Sequence, residues 1–440
     1  MDLIFFLFFS FVLLLISVFE GYFIVYPLLA SITALFFLLL KRGFNIKTLF
    51  TLAWAGSKKS FSVISILLLI GIVIAVWMMA GTVPAIVYYG IQMINPSYFI
   101  VSAFLLTIFV SLLIGTSFGT VSTIGIALMI MASGSSVNPH LIAGAIIAGA
   151  YFGDRCSPMS SSANLISIIT QTKIHTNIRR MLKTTFLPLV VSTIGYLLIS
   201  IANPVKFEQQ NITFEISRLF NINPIVLLPA LAILLLAWLR IEIKISMLIS
   251  IIIGLFISIY IQNYSFFDIF RYMLLGFNLS EDSSLKNIIL GGGIIYMAKV
   301  SLIVIVSTAF AGLFSGTKIL ESVEIYLKKL KSRSNLFLGT NFVGIASAAF
   351  GCTQTIAILL TEELVRDNYQ ENKIDNYQLA VDLENSVVVL SPLIPWNIAG
   401  LVPAAVLMTD SGFIPFAFYL YLVPLFNYID LKIKERAIIR

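Results

Sequence analysis

The sequence predicts an all-α, polytopic membrane protein of roughly 11–14 transmembrane segments, with inverted-topology repeats and broken helices or re-entrant hairpins. Three observations carry that expectation. Hydrophobic residues make up 59% of the 440 and charged residues only 11%, whereas a soluble domain carries about 25% charge. Apolar runs long enough to cross hydrocarbon alternate with short charged clusters, and in lipid such runs become helices that satisfy their own backbone. Two short motifs also recur in the same order at nearly the same spacing. Length alone would allow about three soluble domains. No stretch has the mixed polarity of one, so residues 1–440 read as a single membrane-embedded domain.

Taken in order, the first apolar run is Leu3–Phe19. It lacks a basic segment before it and a small-residue cleavage site after it, so it reads as a retained helix. Tyr22–Leu40, Phe61–Ala80, Tyr98–Ile114, Phe118–Ala132, Leu141–Thr170 and Phe186–Ile201 complete the first set. The second set is Ile225–Leu239, Ile245–Ile261, Ile289–Phe314, Asn335–Phe350, Thr355–Leu364, Leu379–Met408 and Phe413–Ile429.

The net charge is +7. Its distribution argues against nucleic acid as a partner, because the basic residues sit between apolar runs as the positive-inside rule describes. The clusters are Lys41, Arg42, Lys47, Lys58 and Lys59; Lys173, Arg179, Arg180 and Lys183; and Lys318, Lys328, Lys329, Lys331 and Arg333. The tail adds Lys432, Lys434, Arg436 and Arg440. All of these fall in the cytoplasm if both termini do. Segments 41–60, 171–185, 317–334 and 430–440 are then cytoplasmic basic loops and tail of a multi-pass inner (cell) membrane protein in contact with lipid. The less basic stretch 207–223 falls outside. Asn211-Ile212-Thr213 within it fits a glycosylation sequon, a pattern common by chance.

Phe118-Gly119-x-x-x-Thr123-Ile124 recurs as Phe350-Gly351-x-x-x-Thr355-Ile356. Ser157-Pro158 lies 39 residues after Phe118, with Asn164 beyond it; Ser391-Pro392 lies 41 residues after Phe350, with Asn397 beyond it. With the runs above, the two copies enter the membrane from opposite sides, which is an inverted repeat with its site near mid-membrane. The first repeat core is 98–170 and the second 335–409.

Long apolar runs that contain Gly, Pro and clustered Ser, Thr or Asn mark interrupted helices. Their freed carbonyls and half-helix ends can coordinate an ion where they line a cavity. Four such breaks occur: 115–120, 153–164, 351–355 and 391–397. Hydroxyl, amide and carbonyl oxygens suit a hard cation such as Na⁺, although small residues also let helices pack closely. Asp154 is the most telling residue, an ionisable group inside an apolar segment, where the default reading is functional. Desolvation penalises a charged carboxylate, so a cation and a proton compete for such a group. The alternative is a structural ion pair with Arg155. Asp382 and Glu384 precede the second Ser-Pro as counterparts, and Asp382 also fits a helix entrance.

His140 and His175 are the only histidines, and neither has ligand-spaced partners. No Ser-His-Asp order, P-loop or dinucleotide fingerprint is present. No enzyme activity, cofactor or resident metal is therefore expected. Cys156 and Cys352 fall inside apolar segments and say nothing about redox compartment.

At these motifs the chain resembles the NhaC family of sodium/proton antiporters, over nearly the whole sequence beyond the first helix or two. The likeness includes Trp54-Ala55-Gly56, Trp77-Met78-Met79-Ala80-Gly81-Thr82-Val83-Pro84, Tyr88-Tyr89-Gly90 and the stretch from Gly115 to Thr123. It continues through Gly144-Ala145, Gly149-Ala150-Tyr151-Phe152-Gly153-Asp154 and Ser157-Pro158 to Ser391-Pro392-Leu393-Ile394-Pro395-Trp396-Asn397. The chain departs from the family pattern at three acids. Ser160-Ser161-Ser162-Ala163-Asn164 stands where the family reads Ser-Asp-Thr-Thr-Asn. Glu384-Asn385 stands for Glu-Asp, and Cys352-Thr353-Gln354 for Gly-Asp-Gln.

The resemblance implies an ion-coupled secondary transporter of the sodium/proton antiporter type, working by alternating access, with sodium and protons as transported ions. Weaker sodium coordination follows from the missing acids. Asp154 would be the exchangeable carboxylate. Thr120, Ser122, Thr123, Ser157 and Asn164 would line one half-site, and Thr353, Gln354, Glu384, Asn385, Ser391 and Asn397 the other. The alternative is a sodium- or proton-coupled transporter of an amino acid or small carboxylate on the same fold. Oligomeric state is left open, a homodimer included.

Overall fold

The computed structural model describes residues 2–133, 137–204, 209–239, 241–279, 291–317, 327 and 330–439. Apart from an isolated bridge between Phe277 and Gly291, the described residues are helices and the turns between them. The chain opens with α1 (Asp2–Phe19), α2 (Val25–Lys41), α3 (Ile46–Lys59), α4 (Phe61–Met79) and α5 (Thr82–Met93). The first repeat holds α6 (Phe99–Ile114), α7 (Ser117–Thr120), α8 (Ile126–Ser133), α9 (Pro139–Cys156) and α10 (Ser161–Ile169), with a π turn at Val121–Gly125 joining α7 to α8. Between the repeats lie α11 (Ile174–Ala202), α12 (Gln209–Leu219), α13 (Leu228–Trp238), α14 (Ile243–Tyr260), α15 (Phe266–Leu275) and α16 (Ile294–Thr317). The second repeat holds α17 (Arg333–Gly351), α18 (Gln354–Glu371), α19 (Asn376–Leu383) and α20 (Ile398–Val406), and α21 (Phe418–Ile439) closes the chain.

Among the described residues five helices are long and apolar enough to cross a membrane, or seven if each of two bent pairs counts as one span. Three shorter apolar helices accompany them. The higher number expected from apolar runs was reached by treating each run as one helix, and several runs are divided. Leu141–Thr170 becomes α9 and α10, because Pro158 stops one helix and the Ser160 hydroxyl caps the next. Leu379–Met408 bends by 53° at the segment around Pro392 and Pro395. Thr355–Leu364 is the start of α18, whose later turns carry Glu362, Arg366 and Asp367.

The basic stretch at 41–60, expected as a loop, is largely helix α3. Asn45 caps it by accepting from the Lys47 amide at 3.1 Å. Lys47, Lys58 and Lys59 are exposed, while Leu49, Gly56 and Ser57 face inward. Lysine is a good helix former whose stem can lie along apolar surface, so basic charge alone does not mark a loop. Gly56 seats α3 directly on α16: a Cβ there would stand 2.2 Å from the Thr308 carbonyl oxygen. The expected basic loop at 317–334 lies mostly outside the described residues, as do the Asn211-Ile212 side chains of the sequon.

The two repeats match through their helix caps. Asn95 and Ser332, Thr116 and Thr353, Asn138 and Asp375, and Ser160 and Asn397 are each N-caps, and each pair is 237 positions apart. The left-handed residues that end α6 and α17, Gly115 (φ 76°) and Cys352 (φ 51°), keep the same offset. This register corrects the one expected from residue identity. Phe118-Gly119 opens α7, whereas Phe350-Gly351 ends α17, so that match is not structural. What repeats is a side-chain oxygen that accepts an amide hydrogen at each helix start, a task Ser, Thr, Asn and Asp share.

The repeats run in opposite directions. Within each, the first and third helices are parallel: Gly149 and Gly153 of α9 lie on Phe104 and Ser111 of α6, while Arg333 at the start of α17 pairs with Asp382 and Gly344, further along, lies on Val387 just beyond α19. Helix α11, with 29 residues, is roughly 43 Å long at 1.5 Å per residue. Near its start Arg180 pairs with Asp375, the cap of α19, at 3.2 Å. Near its end Ser200 accepts from the Val101 amide of α6 at 3.0 Å. The two repeats thus begin at opposite ends of one long helix.

Candidate functional site

The site forms where the break after α9 meets the break before α18. Helix α9 is rich in small residues, so it packs closely on α6, and its last turns carry Asp154 and Arg155 into the interior, where both are buried. The Asp154 carboxylate accepts from the Gln354 amide at 3.2 Å and sits 3.5 Å from the Ser160 hydroxyl. Ser160 and Ser162 donate to the Asp154 backbone carbonyl, Ser162 at 2.9 Å, and their hydroxyls lie 2.8 Å apart. Gln354 also donates to the Val388 carbonyl at 3.2 Å, so a single amide ties Asp154 to the second repeat. Val388 ends a π turn, Glu384–Val388, that continues α19. Such turns occur frequently at functional sites.

Arg155 does not pair with Asp154. Successive helix residues point about 100° apart, and the guanidinium turns to the other side of α9. There it donates to Thr184 and Thr185 of α11, Tyr419 of α21, and Asn385 of the π turn. All four partners are neutral. The ion pair considered from sequence is replaced by a neutral cage, with the Nε–H left without a hydrogen-bond partner among the described residues. Glu384 is buried beside this cage, and both its carboxylate oxygens lack a hydrogen-bond partner among the described residues. Glu384 interacts electrostatically with both Arg155 and Asp154. A buried ion without compensation costs several kcal/mol, so these three groups stand or fall as a set.

The other expected residues divide into structural and peripheral roles. Thr120, Ser122, Thr123 and Ser391 are buried, and their hydroxyls donate to carbonyls of their own helices. Ser157 donates to the Leu112 carbonyl at 3.0 Å and fastens the break to α6. Asn397 caps α20 and donates to the Ala348 carbonyl at 2.7 Å, the corresponding fastening in the second repeat. Thr353 caps α18 through the Ile356 amide. Asn164 is exposed, and its amide is spent on the Pro158 and Ser160 carbonyls. Asn164 and Asn397 therefore do not join Asp154 and Glu384 in one group, contrary to the expectation. The cap register explains it: the counterpart of Asn397 is Ser160, which does touch Asp154. Asp382 is paired with Arg333 and accepts from Tyr369 at 2.7 Å, a structural ion pair rather than a helix entrance.

Sequence reasoning missed Ser160 and Ser162 as partners of Asp154, and Thr184, Thr185 and Tyr419 as partners of Arg155. The adjacent hydroxyls of Thr184 and Thr185 at the edge of an apolar run were the available signal. Of the three positions where family acids are absent, Ser161 is exposed, Thr353 is a cap, and Asn385 holds Arg155.

A bundle of apolar helices, two inverted repeats and a buried carboxylate where their breaks meet is the architecture of ion-coupled secondary transporters. The chain belongs to the Na⁺/H⁺ antiporter family, whose model matches residues 149–429. It is 31% identical to the Na(+)/H(+) antiporter NhaC of Bacillus subtilis over 410 residues, 91% of this chain and 90% of that one. It is 30% identical to the Na(+)/H(+) antiporter NhaC of Alkalihalophilus pseudofirmus over 394 residues, 87% and 85% of the two chains. Against the Malate-2H(+)/Na(+)-lactate antiporter of Bacillus subtilis the identity is 27% over 384 residues, covering 86% and 82%.

Proposed function

We propose that this protein exchanges sodium for protons across the cell membrane by alternating access, with Asp154 as the carboxylate that each ion occupies in turn. One observation carries the reading. Asp154 is buried at the meeting of the two repeats, held by Gln354 and Ser160, and forms no ion pair among the described residues. A carboxylate spent on a salt bridge would not be available to an ion. Donors that are hydroxyl and amide groups can turn to present oxygen to Na⁺. Motion of one repeat against the other would break the Gln354 link and carry Asp154 from one face to the other.

Uptake of labelled sodium into proteoliposomes under an imposed pH gradient tests this. Sodium should accumulate against its gradient when the proton gradient is opposed to it. A labelled amino acid or small carboxylate driven by either gradient, with no sodium–proton exchange, would favour the alternative solute instead.

The proposed orientation places both termini in the cytoplasm, on the side of Arg180, Asp375 and Arg366. The native cysteines Cys156 and Cys352 are buried, so single exposed cysteines can report sidedness. Lys373→Cys should label from the cytoplasm and Gln92→Cys from outside. Labelling of both from one side would contradict the orientation.

A further inference from the structure

We propose that Arg155 is a positioning residue that sets the charge of the ion site, weakening its hold on a bound cation enough for release. The inference rests on the reading of Asp154 as the cation carboxylate. Three buried ionisable groups share the site, two carboxylates and one guanidinium. Asp382, two residues before Glu384, is spent on Arg333. The groups that α11 and α21 present to Arg155 are the hydroxyls of Thr184, Thr185 and Tyr419. Asn385 adds a neutral amide where a carboxylate would have neutralised the guanidinium directly.

The neutral cage is the informative part. A guanidinium paired with a carboxylate would act on its surroundings as a dipole. Caged by neutral groups, it keeps its full field on Glu384, which in turn acts on Asp154. Three of its four partners lie beyond the repeats, on α11 and α21, and the fourth, Asn385, lies in the second repeat. With Asp154 and Glu384 both ionised the site carries one net negative charge, which matches one monovalent cation. Without Arg155 it would carry two, and a cation would bind tightly and leave slowly.

The test reads KM and kcat for sodium in proteoliposome exchange, with sodium-dependent thermal stabilisation in detergent as a second measure of binding. Arg155→Met should lower KM for sodium by about tenfold or more, since a unit charge buried beside Glu384 acts through an effective dielectric well below that of water, and should lower kcat with it. Arg155→Lys keeps the charge and should keep the parental KM. Glu384→Gln should raise KM by a similar factor, and the double variant Arg155→Met/Glu384→Gln, which restores one net negative charge, should return KM toward the parental value. A purely structural Arg155 predicts otherwise: a lower kcat, an unchanged or raised KM, and a double variant worse than either single. Either the unchanged KM or the unrestored double overturns the proposal. If Arg155→Met yields no monodisperse protein, the double variant against Glu384→Gln alone decides it. A parent with no saturable sodium dependence would overturn the antiport reading itself, and this inference with it.

Discussion

Asp154→Asn is expected to reduce pH-gradient-driven sodium flux to the level of protein-free liposomes while leaving folded protein in the membrane. An amide cannot take up and release a proton, so the exchange step is lost. The fold should survive, because an Asn side chain can still accept from Gln354 through its oxygen and can donate to the Ser160 hydroxyl through its amide, at the positions of the two carboxylate oxygens. Removing the negative charge leaves Arg155 its electrostatic partner Glu384 and its four neutral hydrogen bonds. Flux must be normalised to monodisperse protein. Parental flux with the parental pH response would show that Asp154 does not couple the ions.

Gly153→Ala, one residue earlier, should fail in the opposite way. A Cβ at Gly153 would lie 2.2 Å from the carbonyl carbon and oxygen of Ser111, and a backbone group cannot step aside as a side chain can. The Gly153 amide also donates to the Ser111 hydroxyl at 3.0 Å, so the contact holds the two helices in register. Overpacking a tight contact costs about 1–3 kcal/mol, occasionally more. The expected result is a lower thermal midpoint and a several-fold lower yield of monodisperse protein. What protein does fold should keep its coupling between sodium and protons. Parental stability for Gly153→Ala would mean that α6 and α9 are not in this close contact. The adjacent pair of substitutions thus separates a residue that carries charge from one that lets helices meet.

The fold class was legible because apolar length and low charge leave few alternatives, and Asp154 was legible because a carboxylate inside an apolar run is conspicuous. Arg155 was not. Chain neighbours suggest an ion pair, but the helix turns them apart, and the partners of Arg155 arrive from Thr184, Asn385 and Tyr419, far along the chain. The repeat was detected but misregistered. Identity searches follow matching letters such as Phe-Gly, while the structure repeats a function, the N-cap, that four residue types fulfil. Asn164 was placed in the site by that register, and Ser160, the true counterpart of Asn397, was passed over. The α3 segment was misread for a related reason. Lysines were taken as a loop, although Leu49 and Gly56 form the face on which α3 packs.

The central claim is that one buried carboxylate couples sodium to protons in opposite directions. A pH-sensitive dye trapped inside proteoliposomes measures it most directly. Sodium added outside, with no imposed pH gradient and with the membrane potential clamped, should drive protons out and raise the internal pH, and the response should be absent in Asp154→Asn. An internal pH that stays constant while labelled sodium enters, or that falls as sodium enters, would contradict the account.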